Sequence, residues 1–403
     1  MTPERKVVVI TGASRGINTI PGMPRINHDQ YDIDAAVQDV VRAQADDIED
    51  KRRLPDPVIA VLRESGLNRL AIPAALGGRE APVREMVKSV EAVAMVDGSA
   101  GWCAAIGAGS NVFAGYLPEA GARHVFADPD QGNATMFAPT GTVDVKGRGG
   151  RLTGRWPFTS NCLHSAWAGL GATVRRDGEA EPLPRVVFVP LAELTVEDTW
   201  NAPGLRGTGS HHVSAGDVVV DLDHSCRFSD RAWPDGALWR LPIYTVLIPV
   251  LAAVPIGIAR GALDEVFRLA REGRNARRGQ LSDDPIGMAE LAIADTDLRA
   301  IRAALLDALD EAHARAKRGD PVNRQLQARI LLTAMRSCDI AVEVTSIAHA
   351  LGGAAAVYAE SRLLRALLDV QTGRQHLLFG HQHRPAIGAA LAGRDVTYPP
   401  FLM

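Results

Sequence analysis

The chain has 403 residues, 46% hydrophobic and 23% charged, which is ordinary globular usage and excludes a disordered chain. Lys and Arg number 44 against 47 Asp and Glu, a formal charge of −3, so no overall field draws the chain to nucleic acid or anionic lipid. Aromatic residues make up only 5%, which argues against a β-sandwich or a base-stacking surface and for helix. The four cysteines (Cys103, Cys162, Cys226, Cys338) form no CxxC pair, so neither a disulfide framework nor a zinc site is indicated. A cytoplasmic location is the expectation, because the N-terminus lacks the basic, apolar and small-residue succession of a signal peptide.

In chain order, Val7-Val8-Val9-Ile10 followed by Thr11-Gly12-Ala13-Ser14-Arg15-Gly16-Ile17 reads as a strand and a glycine turn, and it resembles the opening of short-chain dehydrogenases. The third glycine position is Asn18, and Pro21 and Pro24 stand where the phosphate-binding helix would run. None of the five tyrosines has a lysine four residues on, so the catalytic pair of that family is absent. Residues 1–26 are therefore read as an extension. Residues 27–132 follow as a helical domain, with Ile33, Val37, Val40 and Val41 on one face and a further helix at Val83 to Val96. Asp97-Gly98 marks a tight turn into the next helix.

Residues 133–235 change to short β-like runs between glycines: Gly150 to Trp156, Trp167 to Val174, Arg185 to Pro190 and Val213 to Asp221. A small antiparallel barrel or sandwich is expected. Leu241 to Ala259 carries no charge over 19 residues, but Pro242, Pro249, Pro255 and Gly257 interrupt it, so a buried core segment is favoured over a membrane span. Residues 236–403 read as a helical bundle, with amphipathic segments at Ala259 to Glu272, Gly287 to Lys317, Asn323 to Leu351 and Ser361 to Leu377.

Three motifs in this helix–sheet–helix order are specific. They are Trp156-Pro157-Phe158-Thr159-Ser160-Asn161-Cys162-Leu163-His164, the loop Asp198 to Ser210 with Gly204-Leu205-Arg206-Gly207-Thr208, and Leu363 to Val370 leading to Gln375-His376. From about residue 30 onward the chain resembles the two-component flavin-dependent monooxygenases built on the acyl-CoA dehydrogenase fold, the group of the p-hydroxyphenylacetate hydroxylase oxygenases. The resemblance implies a mainly α fold with a central β domain and a C-terminal four-helix bundle, assembled as a homotetramer. It implies reduced FMN, with FAD as the other choice, supplied by a separate NAD(P)H-dependent reductase and reacting with O2 to a C4a-hydroperoxide that hydroxylates an aromatic, phenolic or polyketide-like molecule.

On this resemblance Ser160 stands beside the reactive edge of the flavin, where a hydroxyl both donates and accepts. His376 stands where the dehydrogenases carry a glutamate base; an imidazole there serves as base or hydrogen-bond donor and favours oxygenation over dehydrogenation. Trp102, His164 and His376 are expected around the substrate. Trp156, Phe158, Ser160, Arg206, Gly352 and Gly353 are expected around the cofactor, and one of Trp156 and Phe158 fills the β domain while the other presses on the flavin. Arg274 is expected on the flavin phosphate. Two departures stand out: Asn161, where relatives carry glycine, and Leu368, which breaks an Arg–Asp pair and leaves Asp369 alone. His211-His212 and His381-x-His383 lack a carboxylate or thiol at ligand spacing, so no metal is expected. Three rival readings remain: an acyl-CoA dehydrogenase using Glu360, an N-oxygenase of an amino sugar, and a flavin-free interaction protein.

Overall fold

The computed structural model describes residues 33–147, 149–272 and 280–396. The glycine motif near the N-terminus and Arg274 lie outside the described residues. The helices α1 (Ala35–Ala43), α2 (Ala45–Lys51), α3 (Asp56–Glu64), α4 (Val83–Ala94), α5 (Gly98–Ser110) and α6 (Glu119–Val125) come first. Asp34 caps α1 by accepting from the Ala36 N–H, and Val37 and Val41 turn its buried face inward. Asp97 ends the α4 turn and caps α5, its carboxylate accepting the Ala100 N–H at 2.8 Å.

The strands are β1 (Ala134–Lys146), β2 (Gly149–Trp156), β3 (Trp167–Arg176), β4 (Glu179–Ala180), β5 (Arg185–Pro190), β6 (Thr195–Glu197), β7 (His212–Asp221) and β8 (Ser225–Cys226). They form one sheet in the order β6-β7-β2-β1-β3-β5-β8, with β4 on β3. The expected antiparallel pairing is corrected at one place, because β1 and β3 are parallel and the sheet is mixed. The β1–β2 hairpin reverses the chain once and the 157–166 connection reverses it again, so β3 lands on the far side of β1 running the same way. That connection carries Phe158, Ser160, Asn161 and His164.

Trp156 closes β2 and is fully buried, its Nε1–H donating to the Gly171 carbonyl at 2.7 Å. Its ring covers Gly141, where a Cβ would come within 2.1 Å of it. Trp156 is therefore the aromatic that fills the β domain, and its assignment to the cofactor is corrected: a side chain sealed in the sheet's core has no face left for a ligand.

The helices α7 (Tyr244–Arg271), α8 (Pro285–Arg318), α9 (Arg324–Gly352), α10 (Arg362–Gly373) and α11 (Arg384–Leu391) follow the sheet. The uncharged run 241–259 becomes most of α7, which continues through Pro249 and Pro255. Of the most apolar stretch of α7, 94% is buried inside the chain, so this helix is the central element of the core and not a span. Gly257 and Gly261 make that packing possible, since a Cβ on them would meet the Glu91 and Met95 carbonyls at 2.5 and 2.2 Å. α4 is tied to α8 by a buried pair, with Arg302 Nε donating to both oxygens of Glu91 at 2.7 and 2.8 Å.

Candidate functional site

Four segments meet around the indole of Trp102 on α5. Its Nε1–H donates to Ser160 Oγ at 3.2 Å, joining α5 to the β2–β3 connection. Its ring meets the His376 imidazole edge-on, with centroids 5.6 Å apart, joining α5 to the segment after α10. Gly373, at the end of α10, lies so close that a Cβ would stand 3.2 Å from the indole. From the β6–β7 loop, Ser210 Oγ lies 2.8 Å from Ser160 Oγ, and Thr208 Oγ1 lies 2.7 Å from Ser210 Oγ. Ser160 and His376, nominated as the catalytic pair and 216 positions apart in the chain, thus sit on two sides of one tryptophan.

The local backbone explains how Ser160 is presented. Phe158 has φ of 58° and Asn161 has φ of 70°, so the connection turns sharply on both sides of the serine. Asparagine is among the few residues that adopt the left-handed region readily, which is why Asn161 can hold this turn in place of the glycine that the resemblance implies. Asn161 Oδ1 also faces His164 Nδ1 at 3.2 Å. His164 Nε2 accepts the Leu54 N–H at 3.0 Å, so Nδ1 carries the proton and donates to Asn161. Desolvation pushes the His164 pKa down to about 3, and the ring remains a neutral brace between the N-terminal helices and the Ser160 loop. It also lines a small cavity with Asn68, Cys103, Ala104 and Asn161.

His376 is neutral as well. The surrounding protein pushes its pKa down to about 4 by desolvation, although the residue keeps an exposed edge. Its Nδ1 accepts the Leu378 N–H at 3.3 Å, which places the proton on Nε2. Among the described residues Nε2 has no hydrogen-bond partner. Phe379 backs the ring at 6.1 Å between centroids.

Phe158 is 58% exposed, with its ring against Trp200 and His212 at 6.3 and 5.7 Å. It lies past the end of β2, so it presents an apolar face outside the sheet next to Ser160. Arg206 is turned the other way: it pairs with Glu49 Oε1 at 3.0 Å and donates to the Glu49 and Ala202 carbonyls. These contacts commit it to bracing the loop on α2, which corrects its expected place on the cofactor. Gly352 admits α10 onto α9, where a Cβ would meet Leu363 at 2.4 Å, and Gly353 ends α9 with φ of 60°. Gly352 thus serves helix packing and Gly353 helix termination, which corrects their expected place on the cofactor.

The buried Asp369 accepts the Leu205 N–H at 2.6 Å, and Arg365 acts on it only through its charge. Burial, with Asp97 nearby, pushes its pKa well above the carboxylate range. Cys103 and Cys162 donate to the successive carbonyls of Thr208 and Gly209 at 3.8 and 3.2 Å, and burial pushes the Cys162 thiol up to about 11, so both are loop fasteners rather than nucleophiles. Glu360, the base that a dehydrogenase would need, is exposed on the loop before α10. His211 Nδ1 accepts the Thr199 and Trp200 N–H groups at 3.1 Å each. Among the described residues no group of three or more His, Cys, Asp and Glu is arranged around a metal position.

Sequence reasoning quoted Thr208 and Ser210 inside a motif but did not single them out. The signal was there in Thr-Gly-Ser, two hydroxyls at i and i+2 on a turn. Nothing in the sequence connects that turn to Ser160.

The polar groups converging here, Ser160 Oγ, Trp102 Nε1–H and the His376 Nε2–H, are all uncharged, and an exposed phenyl lies beside them. One acceptor, the free Ser160 lone pair, and one donor, the His376 Nε2–H, beside an apolar ring suit a planar heteroaromatic ligand with ring nitrogens and carbonyls.

Comparison with known proteins bears on the family and the fold. The chain matches the acyl-CoA dehydrogenase N-terminal domain over residues 30–125 and the acyl-CoA dehydrogenase C-terminal domain over residues 249–381. It is 30% identical over 357 residues to an indole-3-acetate monooxygenase of Pseudomonas putida, spanning 88% of this chain and 91% of that protein. It is 29% identical over 353 residues to the flavin-dependent monooxygenase oxygenase subunit HsaA of Rhodococcus jostii (strain RHA1), spanning 85% and 92%. The crystal structure of XiaF from Streptomyces sp. in complex with FADH2 and glycerol superposes with a TM-score of 0.83 at 26% identity, covering 91% of this chain and 95% of that one.

Proposed function

The chain belongs to the flavin-dependent monooxygenases built on the acyl-CoA dehydrogenase fold, and from that premise we propose that it is the oxygenase component that hydroxylates an aromatic small molecule with reduced flavin and O2. The observation that carries the reading is the meeting of Ser160 and His376 on Trp102. The residues fit a flavin: Ser160 Oγ retains a lone pair beyond its two protein contacts, and Phe158 offers an apolar face next to it. A reduced flavin bound there would supply the two electrons that activate O2, one atom of which would go to the substrate.

The chain's own residues hold and aim. Trp102 fixes the Ser160 hydroxyl and backs the imidazole. His376 is the donor of the two roles first considered: its Nδ1 lone pair is engaged by Leu378, and its Nε2–H is available to an oxygen atom in the cleft. A neutral donor suits oxygen transfer because it polarises without releasing a proton to solvent. FADH2 in XiaF favours FAD over the FMN first expected. The proposed partner is a separate NAD(P)H-dependent reductase, supported by the naming of HsaA as an oxygenase subunit, and the proposed location is the cytoplasm. We also propose a homotetramer. Its support is apolar surface on the C-terminal helices: Ile286 and Ile293, two turns apart on α8, are 71% and 61% exposed, and only 44% of the apolar stretch of α9 is buried.

The experiment mixes the protein with anaerobically reduced FAD or FMN, then adds O2 and indole- or phenol-type substrates. Product in excess of what free flavin gives, lowered in Ser160→Ala and His376→Ala, is expected. Wild-type protein that neither binds reduced flavin nor improves on free flavin would overturn the reading.

A further inference from the structure

The hydroxyls behind Ser160 form a chain that runs one way. Thr208 Oγ1 lies 2.8 Å from the Leu205 carbonyl oxygen, an atom that only accepts, so the Thr208 proton is committed there. That carbonyl also receives Trp200 Nε1–H at 3.0 Å, and the Leu205 N–H is held by Asp369, so the anchor is fixed from both sides of the residue. Thr208 Oγ1 then has only lone pairs for Ser210, 2.7 Å away, and the single Ser210 proton must point to Thr208. Ser160, 2.8 Å from Ser210 Oγ, must in turn give its proton to Ser210. Trp102 Nε1–H, a donor only, fills one Ser160 lone pair. Ser160 is left with one lone pair and no proton. Trp102, Ser160, Thr208 and Ser210 are all buried, so reversing any link would set lone pair against lone pair inside the protein.

We propose that Thr208 and Ser210 are positioning residues that lock Ser160 as a hydrogen-bond acceptor, so that the site takes reduced flavin through its N5–H and turns away oxidised flavin. The inference rests on the flavin reading above. Its chemistry is general: reduction converts N5 of the isoalloxazine ring from an acceptor into a donor, while its carbonyl oxygens and the N3–H keep their hydrogen-bonding character in both states. An acceptor beside N5 gains a bond with the reduced ring and faces lone-pair repulsion with the oxidised one. The serine therefore reads the redox state of its ligand, and the threonine two steps away decides which state it reads.

The test is binding, measured without turnover. Dissociation constants for oxidised flavin and for dithionite-reduced flavin under argon are determined for wild type, Ser210→Ala, Thr208→Val, Ser210→Thr and Thr208→Ser. In Ser210→Ala the Ser160 proton loses its acceptor and is free to turn to the oxidised N5. The preference for reduced flavin is expected to fall about tenfold, the scale of one hydrogen bond. For a two-electron couple this is a shift of the bound flavin's midpoint potential of about −30 mV. Thr208→Val frees the Ser210 proton to turn back to Ser160 and is expected to do the same, whereas Ser210→Thr and Thr208→Ser keep the hydroxyls and the preference. A packing defect weakens both flavin forms together and leaves their ratio unmoved. An unchanged ratio in both Ser210→Ala and Thr208→Val overturns the proposal while leaving the flavin site standing. Absence of binding by wild type in either state removes the flavin reading and the proposal with it.

Discussion

Asp369→Asn is expected to stabilise the protein at neutral pH. The side chain is buried, its Oδ1 accepts the Leu205 N–H at 2.6 Å, and Oδ2 lies so near Gly98 that a Cβ there would come within 2.5 Å of it. Desolvation is the largest influence on the carboxyl, and the neighbouring Asp97 adds to it; both push its pKa up, while the Leu205 N–H and Arg365 oppose them weakly. Arg365 is spent on Ala45 and Asp46 and makes no hydrogen bond to Asp369. A carboxyl whose native pKa lies above its unfolded value of about 3.9 keeps its proton in the native state while the unfolded chain has lost it. Native protein then binds more protons, and stability declines as pH rises from about 4 toward the native pKa, by about 1.4 kcal/mol per pH unit. Asparagine keeps the acceptor for Leu205 and does not ionise. The variant is therefore expected to gain on wild type as pH rises across that window, and to level off above it. Asp369→Leu, by contrast, leaves the buried Leu205 N–H without a partner and costs about 1–3 kcal/mol at every pH. Urea unfolding at pH 5, 6, 7 and 8, at one protein concentration, reads both. If Asp369→Asn instead loses stability increasingly above pH 4, the carboxylate is ionised and paired in the native state, and the reasoning fails.

Three further outcomes are expected. His376→Ala lowers product formed per flavin oxidised about tenfold, as loss of one hydrogen bond to the reacting oxygen would; because the imidazole titrates at about 4, wild-type yield has no inflection from it between pH 5.5 and 8, and one that vanishes in the variant would refute the neutral-donor role. Glu91→Leu removes the buried carboxylate that takes Arg302 Nε between α4 and α8 and costs about 3–5 kcal/mol, seen as a lower Tm, with most of the loss recovered when Arg302→Met is added. Trp156→Phe removes the donor to Gly171 and opens space over Gly141, costing about 1–3 kcal/mol in urea unfolding while leaving flavin affinity within about twofold; an affinity loss beyond that would return Trp156 to the cofactor site.

Much of the architecture was legible because its signals are local. The edges of β5 and the starts of α8 and α9 followed from turn residues, caps and apolar period, which act over a few positions. α7 was read only in part. Its prolines argue for a break, and only burial on every side by the rest of the core compensates them. The parallel β1–β3 pair was invisible for a similar reason, since strand direction depends on how the 157–166 connection crosses the sheet.

For the site, the sequence by itself determined the chemistry on offer: a serine on a turn after a strand, a histidine after the last long helix, and no charged base at that position. It could not say which of Trp156 and Phe158 faces a ligand, because alternation along a strand stops at the strand's end, and β2 ends at Trp156. Nor could it give the direction of any hydrogen bond. Only the tertiary structure decided that Trp102 joins Ser160 to His376, that Arg206 is consumed by Glu49, and that a carbonyl at Leu205 orders the protons through Thr208 and Ser210 to Ser160. The physical reason is that a hydroxyl is ambiguous until its neighbours are known, and those neighbours come from segments brought together only by folding.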